Sequence, residues 1–123
     1  MNFGRIGAVS AFIGVAAGAF GAHALRARLA PDMLAVFETG ARYQLIHALA
    51  LIGVWLAAAR APGRPLSAAG GLFVIGTVLF SGSLYALALT GTRAWGMVTP
   101  FGGMCFLTGW LVFAVGAGSG ARG

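Results

Sequence analysis

Eight arginines and two acids divide this chain into four uncharged runs: Ile6 to Leu25, Tyr43 to Ala59, Pro65 to Thr92 and Ala94 to Ala121. Each is long enough, or nearly so, to cross a hydrocarbon core of about 30 Å as a helix of roughly 20 residues. Only 8% of residues are charged and 59% are hydrophobic, against a charged share of roughly a quarter in soluble domains. A water-soluble fold is excluded on that balance. The expectation is one domain over residues 1–123, an all-α integral membrane protein with four transmembrane helices at about 6–25, 42–59, 67–90 and 99–118. A short interfacial amphipathic helix is expected within 26–41, between helices 1 and 2.

The formal charge of +6 does not form a basic cluster. The arginines stand at positions 5, 26, 28, 42, 60, 64, 93 and 122, beside the apolar runs. Scattered in this way they read as headgroup anchors, and no nucleic-acid partner is expected. Four helices put both termini on one side. Arg5, Arg60, Arg64 and Arg122 then face Arg26, Arg28, Arg42 and Arg93, a tie that leaves orientation open under a rule that counts Lys and Arg. Cys105 lies within the last apolar run, has no second cysteine to pair with, and reads as a small buried hydrophobe. Arg5, the run IGAVSAFIGVAAGAF and then Ala22-His23-Ala24 have the outline of a secretory signal with an A-x-A site, but the segment is read as a retained first helix.

Gly14, Gly18 and Ala22 recur every four residues and mark a face on which two helix backbones can approach closely. In the segment 26–41, Leu34, Val36 and Phe37 stand among Arg26, Arg28, Asp32 and Glu38, which suits a helix at the interface. Pro31 fits a first helical turn and Asp32 the positive end of its dipole. Only Gly40 interrupts the pattern before helix 2, so continuity with that helix is left open. Thr77, Ser81 and Tyr85 share one face of helix 3 and are expected to point into the bundle, each hydroxyl bonded to a carbonyl or a partner side chain. Gly102, Gly103 and Gly109 permit close packing of helix 4, and Arg93 and Trp95 belong to an interfacial belt.

The stretch RYQLIH at 42–47 is the unusual one, because its polar side chains open an apolar run. Both acids, both histidines and three arginines fall between residues 23 and 47. Arg42, near a helix end, can snorkel to the headgroups. His47 lies deeper, where an unpartnered ring nitrogen costs about 1 to 3 kcal/mol, so it is expected to face Tyr43, His23, a carbonyl or a water pocket. An antiparallel hairpin would bring His23 and His47 to similar depth, with Thr39, Tyr43 and His47 on one face and Glu38 and Arg42 forming an i, i+4 pair. His23, Glu38, Arg42, Tyr43, His47 and Tyr85 are therefore the candidate ligand-binding residues. The imidazoles suit a metal site, axial haem ligation, a proton relay or an interhelical hydrogen bond that locks the hairpin. No H-x-x-x-H, C-x-x-C or E-x-x-H spacing supports a metal, so the structural role leads and no metal or other cofactor is expected. Met33, Met97 and Met104 show no copper-site spacing and read as fillers of packing gaps. No nucleophile, base and orienter set is visible, so no catalytic residue is assigned.

Four segments, GAFGAHAL (18–25), FETGARYQLIHALAL (37–51), FSGSLYALALTG (80–91) and TPFGGMCFLTGW (99–110), carry a resemblance that covers nearly the whole chain. In them the sequence resembles the YgdD and YwdK type of small bacterial inner-membrane proteins, which have a eukaryotic small transmembrane relative. Relatives often start the interfacial helix with a Ser-Pro-Glu type sequence where this chain has Ala30-Pro31-Asp32, which removes the side-chain cap but not the helix. The resemblance implies a four-helix architecture and a multi-pass location in the bacterial inner membrane, and it transfers no catalytic role. The expected function is that of a non-enzymatic helical bundle that packs with itself or with other membrane proteins, in contact with membrane lipid. The alternatives are a small-ligand, proton or metal binding or transport protein built on the His23 and His47 cluster, and a haem-binding subunit.

Overall fold

In the computed structural model, which describes residues 1–120, the four uncharged runs form four helices long and apolar enough to cross a membrane. They are α1 (Phe3–Leu25), α2 (Pro31–Arg60), α3 (Arg64–Thr90) and α4 (Thr99–Gly120). No strand occurs among the described residues. Arg122, one of the eight topology markers, lies outside them.

The ends follow local chemistry. Asn2 caps α1 by accepting the Arg5 amide at 3.0 Å. Prolines open α2 and α3, where a missing amide is harmless. Gly91, at φ 72, ends α3 in the left-handed region and donates its amide to the Leu87 carbonyl at 2.8 Å. A 3-10 turn, Arg93–Met97, leads into α4 and leaves Arg93 and Trp95 exposed at the end of the bundle. Within α1 the regular helix ends at Val15, and a π-helical stretch, Ala16–Gly21, precedes a last α turn.

The segment 26–41 is not a separate helix. From Pro31 onward it is the first part of α2, which runs unbroken for 30 residues. Gly40 is a notch rather than a break. A Cβ there would sit 3.0 Å from a ring carbon of Tyr85 on α3, so the glycine admits an aromatic ring, which offsets its helix penalty of about 1 kcal/mol. At 1.5 Å per residue α2 is about 45 Å long, against an apolar thickness of about 30 Å. Its charged first turns therefore extend into the headgroup region without ending the helix.

Each helix packs against its neighbours in sequence, so α2 and α3 lie at the centre and α1 and α4 outside. The main core joins Leu51 and Val54 of α2 with Leu66, Ala69 and Phe73 of α3 and Phe106 of α4. Ala22, Phe37 and Ala88 make a smaller cluster at the opposite end. Glycines set the spacings. Gly14 meets Leu45, Gly18 meets Ala41, and Ala22 is buried beside Phe37, so the predicted small-residue stripe is the α1 face against α2. Gly102 of α4 lies directly on the Phe80 backbone of α3, and Gly109 on the Phe73 ring. Such close approach lets dispersion hold helices together where lipid supplies no hydrophobic drive between them. Phe12, Phe20, Leu107, Leu111 and Val115 point outward, as the lipid-facing surface of a bilayer protein requires. Met97 and Met104 also point outward. They face the surroundings rather than filling gaps in the core.

Candidate functional site

His47 is 2% exposed and lies 16 positions into α2, counting from Pro31. Its Nδ1 is 2.8 Å from the Tyr43 carbonyl, which can only accept, so Nδ1 carries the proton. The indole Nε1–H of Trp110 on α4 then donates to the bare Nε2 at 3.0 Å. Both ring nitrogens are occupied by the neutral tautomer. The ring also stacks on Phe106 with centroids 3.5 Å apart and planes 5° from parallel, and it leans on Phe73 at 5.5 Å. Tyr43 packs against Phe80 at 4.8 Å and against Phe106 at 6.5 Å, half-exposed at the outer surface. A depression of about 410 Å³, lined by Tyr43, Phe80, Met104 and Trp110 among others, opens beside this group.

Gln44, one residue past Tyr43, makes a second bridge. Its Nε2 donates to the Ser10 carbonyl at 3.1 Å and to the Ser10 hydroxyl at 3.3 Å on α1. Its Oε1 accepts the Tyr85 hydroxyl of α3 at 2.7 Å. One amide thus ties three helices together. A third polar contact joins α3 to the start of α4, where the Ser83 and Thr99 hydroxyls lie 2.6 Å apart. Thr77 donates to the Phe73 carbonyl at 2.8 Å. Ser81, on the same face and buried, has no hydrogen-bond partner among the described residues, so the expectation that each hydroxyl of that face is satisfied is not met at this residue.

The six predicted ligand residues do not form one cluster. Tyr43 and His47 meet, and Tyr85 joins Gln44 rather than either histidine. Tyr85 also packs its ring on Phe37 at 5.0 Å. His23, Glu38 and Arg42 are exposed. Nor do the histidines share a depth. Gly21 meets Phe37, whereas Gly7 meets Ala48 and Ser10 meets Gln44. His23 is therefore level with the first turns of α2, roughly a dozen residues or about 18 Å from His47 along the axis. The misplacement traces to α2 beginning at Pro31 instead of Arg42, which carries His47 to the middle of the span.

Three residues that matter here were not singled out in the sequence: Ser10, Gln44 and Trp110. Gln44 carried a signal, being the chain's one glutamine and lying inside an apolar run. Trp110 carried a weaker one, since it stands mid-helix rather than in an interfacial belt. No group of three or more His, Cys, Asp or Glu side chains able to hold a metal ion occurs among the described residues.

Comparison with known proteins agrees with this architecture. Residues 17–103 match the model of a family described as "Protein of unknown function (DUF423)". The UPF0382 inner membrane protein YgdD of Escherichia coli K12 is 46% identical over 110 residues, covering 89% of this chain and 84% of the relative. The UPF0382 membrane protein YwdK of Bacillus subtilis 168 is 41% identical over 113 residues, covering 91% and 92%. A UPF0382 membrane protein of Staphylococcus epidermidis is 41% identical over 110 residues, covering 89% of each chain. No solved structure matches. With residues 17–103 matched by the family model and membrane-protein relatives 41–46% identical over most of their length, the chain belongs to the DUF423 family of membrane proteins.

Proposed function

We propose that this protein is a non-enzymatic helical bundle of the inner membrane that acts by lateral packing, with a second copy of itself or with another membrane protein. The observation that carries the reading is the occupation of both His47 nitrogens, by the Tyr43 carbonyl and the Trp110 indole. A metal or haem iron at Nε2 would have to displace the indole and break the hydrogen bond that joins α2 to α4. Gln44 is similarly committed to Ser10 and Tyr85. Polar groups satisfied by one another across helices fix the packing of a bundle and offer little to a substrate.

The test is a purified, detergent-solubilised sample, with His47→Gln beside it. The reading expects no Soret band and no stoichiometric transition metal. It also expects His47→Gln to lower stability while leaving in-membrane crosslinking between neighbours in place. A Soret band or bound metal that disappears in His47→Gln, with helicity retained, would overturn it.

A further inference from the structure

Helix α1 packs on α2 through Gly7 and Gly14 and reaches α3 at its first turn, where Phe3 lies on Gly70. Beyond that contact α1 and α3 part, leaving a groove of about 470 Å³ floored by Gln44 and Leu51 of α2. Ile6, Val9 and Ile13 form one wall, Val74 and Val78 the other, and Arg5 stands at the end beside Phe3. Gln44 is engaged by Ser10 and Tyr85, so the surface left to an occupant is mainly aliphatic.

Three features select the occupant. From Arg5 to Ile13 the groove is about 12 Å long, close to the depth of one leaflet of a core about 30 Å thick. Water is unsuited to an aliphatic wall, while an unfilled groove in lipid forfeits the dispersion contacts of its lining. Arg5 shares its end of the bundle with Arg60 at the close of α2 and Arg64 at the start of α3, a positive rim for a negative headgroup.

We propose that this groove holds one acyl chain of an anionic phospholipid, with its phosphate on Arg5 and its chain between α1 and α3 in a single leaflet. Val9 and Val78 are exposed on opposite walls, so Val9→Trp or Val78→Trp fills the groove without entering the protein core.

The experiment is native mass spectrometry of the full chain, offered phosphatidylglycerol or phosphatidylcholine of the same chain length, with inorganic phosphate as a control. The proposal expects one phosphatidylglycerol retained per chain and loss of that adduct in each valine variant, with helicity unchanged by circular dichroism. It expects Arg5→Gln to reduce the preference for phosphatidylglycerol about fivefold, the factor for one cation at the membrane surface. Equal retention of both lipids by the wild-type chain would overturn it. So would an adduct that survives in whichever valine variant keeps its helicity, or phosphate binding alone.

Discussion

The two histidines of this chain have the same side chain and opposite circumstances. His47 is 2% exposed, hydrogen-bonded at both nitrogens, stacked on Phe106 of α4 and tilted against Phe73 of α3. His23 ends α1 on an exposed face. The difference teaches that depth and partners, not residue type, decide whether an imidazole is a structural member of a membrane bundle. In the middle of a span a polar ring finds its partners within the protein, as His47 does; at the end of one, headgroups and water supply them.

That contrast can be broken most forcefully at His47. Substitution His47→Ala removes the ring from its stack, opens a cavity and leaves the Trp110 N–H unpaired. A loss of about 3 kcal/mol is expected, as for a large buried ring. Unfolding by a denaturing detergent, followed by tryptophan fluorescence, measures it. A loss below about 1 kcal/mol would mean that the ring is not part of the core, since buried truncations fall well above that.

Glycines give the same contrast in steric form. Gly102 lies on the Phe80 backbone, whereas a Cβ on Gly82 of α3 would meet nothing within 4 Å. Gly102→Ala is expected to cost about 2 kcal/mol by forcing α3 and α4 apart. Gly82→Ala is expected to be neutral or slightly stabilising, within about 1 kcal/mol. The same detergent titration separates them, and equal effects would contradict the packing described for these two helices.

The Gln44 bridge predicts a smaller effect. Tyr85→Phe deletes one hydrogen bond across α2 and α3 and leaves the ring against Phe37 and Gly40. Interhelical hydrogen bonds in membranes contribute about 0.6 kcal/mol on average and about 1.7 at most, so a loss of about 1 kcal/mol is expected. The double variant with Gln44→Leu should be less destabilised than the sum of the single ones, because the two side chains share one bond. Strict additivity would mean that they do not interact.

At the weak end stands His23→Ala. An exposed residue at a helix end should change stability by no more than about 0.5 kcal/mol. A large loss would restore a role for His23 beside His47.

How far the sequence reveals this molecule follows the same divide between ends and middle. The four spans are legible because arginines bracket them, and the Gly14, Gly18 and Ala22 stripe because its spacing matches the helix repeat. The start of α2 is not. Asp32, Glu38 and Arg42 look interfacial and Gly40 looks like a break, yet the Tyr85 ring that occupies the Gly40 notch comes from a helix more than forty residues away. That boundary error moved His47 from the middle of the span to its edge and suggested a pairing with His23. Trp110 and Ser10 could not be assigned to His47 and Gln44 from spacing, because the register between helices is set by glycine contacts that no single helix records. The unusual character of RYQLIH was legible, and its explanation lies in partners distributed over three other helices.

The central claim is that His47 is a neutral structural imidazole closed by Tyr43 and Trp110. Nitrogen-15 NMR of histidine-labelled protein in lipid bilayers tests it most directly, with His47→Gln used to assign the signal. A protonated Nδ1 and an unprotonated Nε2, with the Nε2 signal shifting when Trp110 is replaced by Phe, is the predicted result. A doubly protonated ring, a proton on Nε2, or a metal-shifted resonance for His47 would contradict the account.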